Sequence, residues 1–295
     1  MHITSPTRLS PAHLLLAIIV VAIWGSNFVV IRIGLNQFPP FTFATLRFLL
    51  ASLRLLPFFR WPETDWKNVV VYGLLIGAGQ FGLMLYAMSG DISPGLASVL
   101  IQTQAFFTVA LAVYFAGERI GARNIFGLLL CAAGVTIVIF MGGGEASPIG
   151  VALVLGGAFC WAMGNIVARR AGPINALSLV AWSNIFAILP LAAMALLFEG
   201  PSAIGHSLTH ADMNGWLSIF WQAFGNAIFG YAVWNWLLGC YPASQVAPLG
   251  LLVPIFGLSS AAIFLGEPMP LWKLVAAAAI ISGLAVNAIR PRARG

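Results

Sequence analysis

Apolar runs bounded by proline, glycine or charge fall at about 13–34, 41–59, 69–88, 95–115, 122–141, 149–169, 176–197, 214–237, 244–265 and 272–289. Each is close to the roughly 20 residues that a helix needs to cross the hydrocarbon core of a bilayer, so the pattern predicts ten transmembrane helices. The strict alternation of apolar and polar residues that marks a membrane β-barrel is absent. Helices are then the way to satisfy every backbone group in lipid. The first run, His13 to Ile31, follows a segment with a single Arg8 and two prolines and has no small-x-small cleavage site after it. It reads as a retained first helix rather than a signal peptide.

Composition sharpens this into a class. Of 295 residues, 60% are hydrophobic and 7% charged, with a mean hydropathy of +0.96. Soluble domains carry about 25% charged residues, so the expectation is an all-α integral membrane protein with no room for a soluble domain. The net charge of +6 raises the question of nucleic acid, but no basic run with interleaved aromatics exists outside the apolar segments. The basic residues report orientation instead. With the N-terminus inside, the cytoplasmic side receives Arg8, Arg54, Arg60, Lys67, Arg119, Arg123, Arg169, Arg170, Arg290, Arg292 and Arg294, against Arg32 and Lys273 on the other face and Arg47 within the second helix. Eleven against three places both termini in the cytoplasm. Cys131, Cys160 and Cys240 have no metal-ligand spacing and read as reduced packing residues. The longest external loop, 198–213, carries Glu199, His206, His210 and Asp212; without a third ligand at fixed spacing, the histidines read as solvated. No metal, cofactor or nucleic-acid partner is expected.

Internal repetition organises the ten runs. Trp24-Gly25-Ser26-Asn27-Phe28-Val29-Val30-Ile31-Arg32 aligns with Trp161-Ala162-Met163-Gly164-Asn165-Ile166-Val167-Ala168-Arg169, and Gly117-Glu118 followed by Gly134 aligns with Gly266-Glu267 followed by Gly283. Two halves are implied, 1–145 and 146–295. Five helices per half is an odd number, so the second half enters the membrane from the opposite side, with Glu118 inside and Glu267 outside. Such inverted repeats are a recurring architecture of secondary transporters, with the substrate site near the midplane between the halves. One chain contains both halves, so a monomer suffices.

Trp24-Gly25-Ser26-Asn27-Phe28, Pro39-Pro40-Phe41, Arg47-Phe48, Gly117-Glu118-Arg119 and the glycines around Gly127 and Gly134 resemble the EamA-type ten-helix members of the drug/metabolite transporter superfamily. The resemblance covers essentially the whole chain. It implies export of small metabolites, often amino acids, by alternating access through a cavity between the halves. Within that family the chain is similar to the aromatic amino acid exporters of bacterial inner membranes. The family commonly has a proline in the middle of both the fourth and the ninth helix; here Pro254 fits the ninth, but Ala105 stands at the matching place in the fourth, with Gln102 and Gln104 nearby.

Polar side chains in hydrocarbon are costly unless paired, so each is a candidate for substrate contact or for joining helices. Those singled out are Ser26, Asn27, Gln80, Tyr86, Gln102, Gln104, Asn165, Asn184, Asn226, Tyr231 and Asn235. Trp24, Trp161 and Trp234 lie deeper than Trp61, Trp66, Trp216 and Trp272, which sit at span ends as interfacial belt residues. Trp24 with Asn27, and Trp161 with Asn165, share helix faces; Gln80 and Tyr86 lie within about 120° of each other. Amides and aromatic rings together suit a flat apolar side chain with a polar end. Pro248 and Pro254 remove helix hydrogen bonds in the ninth helix, and the freed carbonyls are candidates to meet an ammonium group. Gly73-x-x-x-Gly77, with Gly79 and Gly82, permits close helix approach in the third helix. Arg47 reads as pairing with carbonyls near the outer interface, with the anchoring of a substrate carboxylate as the alternative.

All eight acids lie in loops or at helix ends. A buried proton-carrying carboxylate is therefore not expected, which favours a facilitator and argues against the other transport reading, an efflux pump for lipophilic cations or multiple drugs. No Ser-His, Cys-His or His-Glu arrangement lies within the spans, so an enzyme is not expected.

Overall fold

The computed structural model describes residues 9–116, 121–172 and 174–288, and every regular element among them is helical apart from one isolated bridge between Ile92 and Ala146. The helical stretches are α1 (Pro11–Leu35), α2 (Pro40–Phe58), α3 (Trp66–Met88), α4 (Pro94–Phe115), α5 (Ala122–Met141), α6 (Pro148–Arg170), α7 (Ala176–His210), α8 (213–240), α9 (Ala247–Leu265) and α10 (Leu271–Ala288). Eight of them, all but α8 and α10, are long and apolar enough to cross a membrane. The topology markers Arg8, Arg119, Arg290, Arg292 and Arg294, and the Gly117-Glu118 pair, lie outside the described residues.

Local chemistry sets the ends. Ser10, Ser93, Ser147, Asn175 and Asp212 each accept a first-turn N–H at the start of a helix, and proline occupies the first turn of α1, α4 and α6, where its missing N–H costs nothing. The N-terminus of α2 has no such neighbour, since it follows Pro39. Glu199 supplies the acceptor from a distance, taking the N–H of Phe41 and Thr42 and the hydroxyl of Thr42 at 2.6 Å. A carboxylate there also favours the positive end of the helix dipole.

One expectation is corrected here. The stretch expected as a long loop, 198–213, is mostly helix: α7 turns at Gly200, whose φ of 82° needs a glycine, and continues through Gly200–His210. His206 and His210 are then one helical turn apart, with their rings stacked at 4.1 Å.

The helices are not uniform. Leu74–Gly82 in α3 and Gln222–Phe229 in α8 have π-helical hydrogen bonding, as do the five residues Ala195–Glu199 in α7. Ile101–Thr103 in α4 and Ala247–Leu252 in α9 narrow to 3-10 turns. In α9 the cause is proline: Pro248 opens the 3-10 stretch and Pro254 sits in the first turn of the α-helix that follows. In α4, which lacks the proline, the same narrowing occurs.

Packing joins α1 to α9, α2 to α7, α4 to α9, α5 to α10, and α6 to α3 and α4. The α5–α10 contact is close because it runs over glycines: a Cβ at Gly134 would meet the side chain of Ile280, and one at Gly127 would meet the carbonyl of Gly283. Gly77 fits the same pattern against Ala187 of α7, so the third-helix glycines serve packing.

Candidate functional site

A cavity of about 510 Å³ lies among α1, α3, α4, α6, α8, α9 and α10, within the size range of small-molecule sites. Its walls carry Trp24, Asn27 and Phe28 from α1, Gln80, Phe81 and Met84 from α3, Gln102 and Gln104 from α4, Trp161 from α6, Asn226 and Tyr231 from α8, and Gly250 and Asn287 from the last two helices. Among the described residues no Asp, Glu, His, Lys or Arg lines it. Ala247, Gly250, Leu284 and Asn287 belong to the start of α9 and the end of α10, so the cavity extends toward the side on which α1 starts, where Leu9 N–H meets Gln245.

The cavity brings together eight expected residues with polar or aromatic side chains: Trp24, Asn27, Gln80, Gln102, Gln104, Trp161, Asn226 and Tyr231. Asn226 and Tyr231 are five residues apart and share the wall because the π stretch pairs i with i+5, widening the turn between them. Asn27 is buried and reciprocally paired with Gln222 of α8: Gln222 Nε2 donates to Asn27 Oδ1 at 2.7 Å, and Asn27 Nδ2 donates back at 3.4 Å. Trp24 Nε1 donates to the carbonyl of Asn226 at 3.2 Å.

Other expected residues stand elsewhere. Asn165 is behind the wall, donating to Gln104 Oε1 at 3.1 Å and Thr108 Oγ1 at 3.2 Å, so it positions an amide that does line the cavity. Tyr86 is exposed and stacked on Phe41, pointing away from the cavity that Gln80 lines. Ser26 turns its hydroxyl to the carbonyl of Ile23 in its own helix. Trp234 packs against the outer side of Trp24 in a small apolar cluster with Ala17, Leu237 and Tyr241. Asn235 lies a further turn along α8, away from the lining residues. Asn184 is buried in α7 and also stands outside the lining.

Two readings of the sequence are corrected by contacts. Pro254 has no N–H to return to the carbonyl of Gly250, but that carbonyl does not wait for an ammonium group: Gln102 Nε2 donates to it at 3.4 Å, and the N–H of Val253 also points to it. Arg47 does not pair with carbonyls through Nε or Nη1, both buried without a partner. Its guanidinium lies over the ring of Phe81 at 3.7 Å and near that of Phe48 at 4.7 Å. A desolvated cation–π contact contributes about 2 kcal/mol, whereas burying an ion costs several, so the site is under-compensated.

Sequence reasoning missed Gln222, Asn287 and a buried ion-pair network at the end of α5 and the start of α10. Asn287 lines the cavity with its Oδ1 buried and unpartnered. Lys273, fully buried, is held between Glu145 and Glu267, the latter at 2.9 Å, and Glu267 also accepts the N–H of Gly95 at the start of α4. Arg32 Nη1 donates to the carbonyl of Met88 at the end of α3 at 2.9 Å. The signal for the network was present in Glu145, Glu267 and Lys273, but residues 128 apart are joined only by the fold.

The chain matches known proteins over almost its full length. The EamA-like transporter family matches residues 12–140 and 148–289. A Salmonella typhimurium protein described as "Probable amino-acid metabolite efflux pump" is 41% identical over 285 residues, covering 95% of each chain. An Escherichia coli K12 protein of the same description is 38% identical over 278 residues, covering 92% of this chain and 93% of its own. One solved protein crystal structure aligns with a TM-score of 0.62 at 19% identity, covering 93% of this chain and 97% of the other, a likeness of fold.

Proposed function

The chain belongs to the EamA-like transporter family, and from that premise we propose that it exports amino acids, with preference for aromatic or large apolar side chains, across the bacterial inner membrane. The observation that carries this reading is the cavity: amides and indole or phenol rings from helices of both matched segments face one space of about 510 Å³. Rings stack on a flat side chain while amides hydrogen-bond its polar end. Both efflux relatives span nearly the whole chain, which supports export of a metabolite as the class of activity.

We read the architecture as ten spans in two inverted halves, 1–145 and 146–295, with both termini cytoplasmic. The helical irregularities support it. The π stretch of α3 recurs in α8 and the 3-10 turn of α4 recurs in α9, so the third and fourth helices of each half deviate in the same way. Alternating access then has a simple form. The cavity reaches toward the start of α1 and the end of α10, and the network of Lys273 with Glu145 and Glu267, at the end of α5 and the start of α10, reads as the seal on the other side. Release outward requires that seal to part, while a closure forms on the other side.

The test is counterflow in proteoliposomes holding the purified chain, across the twenty amino acids. Exchange of Trp, Tyr, Phe or Leu well above the small polar amino acids is the expected result. No exchange of any amino acid overturns the reading.

A further inference from the structure

We propose that Arg47 is the carboxylate anchor of the transport pathway, screened in this state by the ring of Phe81; this rests on the amino-acid export reading above. An arginine keeps its proton under all ordinary conditions, so a buried guanidinium is a permanent cation that needs an anion or a full set of acceptors. Arg47 has neither at Nε and Nη1, although it is only 4% exposed. No ion pair to Arg47 exists among the described residues.

The side chain sits next to the cavity rather than in it. Phe81 lines the cavity on one side and meets the guanidinium at 3.7 Å on the other, with Phe48 edge-on behind it at 5.6 Å. Tyr231, also in the wall, lies within electrostatic range of the guanidinium. Helix α2 packs against the π stretches of both α3 and α8, so Arg47 belongs to the helix that touches both distorted segments of the site. A purely structural arginine in such a place bonds backbone carbonyls; this one is held by aromatic faces, which compensate a cation weakly and release it readily.

A side-chain rotation of Phe81 is enough to present the guanidinium to the cavity. Its planar fork then accepts a carboxylate with two parallel N–H···O bonds. The rings that were covering the cation are also apolar surface for the substrate's side chain. Arg47 thereby makes the site choose zwitterions over amines of the same shape, without any carboxylate of the protein's own.

The experiment compares counterflow of an aromatic amino acid with that of its amide and its decarboxylated amine in proteoliposomes. Wild-type protein is expected to favour the amino acid by on the order of tenfold or more, since an unpaired buried charge penalises the analogues. Arg47→Gln is expected to remove that discrimination, lowering the acid and leaving the amide and amine unchanged; Arg47→Lys is expected to retain part of it. Parallel loss of all three substrates in both variants, or no change in any, overturns the proposal and leaves the export reading standing. Wild-type exchange of no amino acid overturns both. If Arg47→Gln does not fold, Phe81→Leu answers the same question, since uncovering the cation is expected to lower KM for the acid alone; an unchanged ratio overturns the proposal.

Discussion

Trp24 and Asn226 are joined by an indole N–H that reaches a backbone carbonyl on another helix, at 3.2 Å. That carbonyl belongs to the π stretch of α8, where the widened turn changes which carbonyls the helix itself can use. The same indole leans on Tyr231 at 5.6 Å and Trp234 at 5.1 Å, so one side chain ties the wall of the cavity to the packing behind it. Trp24→Phe keeps most of the ring and deletes the donor. Loss of about 1 kcal/mol of stability is expected, with a several-fold fall in transport, measured as thermal unfolding in detergent and as counterflow. An unchanged rate removes this hydrogen bond from the mechanism.

Asn165 acts through Gln104. With Asn165→Ala, Gln104 loses a donor that fixes its Oε1, and transport is expected to fall several-fold while expression and solubility stay at wild-type levels. Trp161→Ala removes a ring from the wall itself, and its effect is expected to be larger for aromatic than for aliphatic substrates. Equal loss for both substrate kinds separates a packing role from a stacking one.

Lys273→Met leaves Glu145 and Glu267 facing each other without their cation. Because Lys273 is fully buried while Glu145 keeps some contact with solvent, a cost of about 3 kcal/mol is expected, at the low end for broken buried pairs. The same change is expected to loosen the seal, so a cysteine placed at Ser93 reacts faster with a membrane-impermeant maleimide. Slow, unchanged labelling argues that the network serves stability and not gating.

With no carboxylate or imidazole among the described lining residues, substrate flux is expected to be the same with and without an imposed pH gradient at fixed membrane potential. Acceleration by the gradient shows that a titrating group participates.

Much of this was readable along the chain. Nine of the ten apolar runs match the helical stretches to within a few residues, because proline, serine and aspartate caps and the length needed to cross a bilayer are local properties; the exception is α7, which continues past the expected end at 197 to His210. Asn27, Gln80, Gln102, Asn226 and Tyr231 stood out because amides and phenols are expensive in an apolar run. Their arrangement was less legible. Gln80 and Tyr86, about 120° apart, fall on different sides of α3, and Asn226 and Tyr231 converge through a π turn that the residues themselves do not announce.

The sequence alone determined that the chain resides in a membrane, where its helices begin and, α7 apart, where they end, and which polar groups they carry. Only the tertiary structure decided which of those groups meet: Asn27 with Gln222, Asn165 with Gln104, Lys273 with two glutamates, Arg47 with rings. The physical reason lies in the solvent. In water a helix shows its inward face as an apolar stripe, but in lipid the outward face is apolar too, so periodicity carries little information about rotation. Rotation is set instead by where glycines let helices approach and by where π and 3-10 turns shift the register, and both depend on the neighbours.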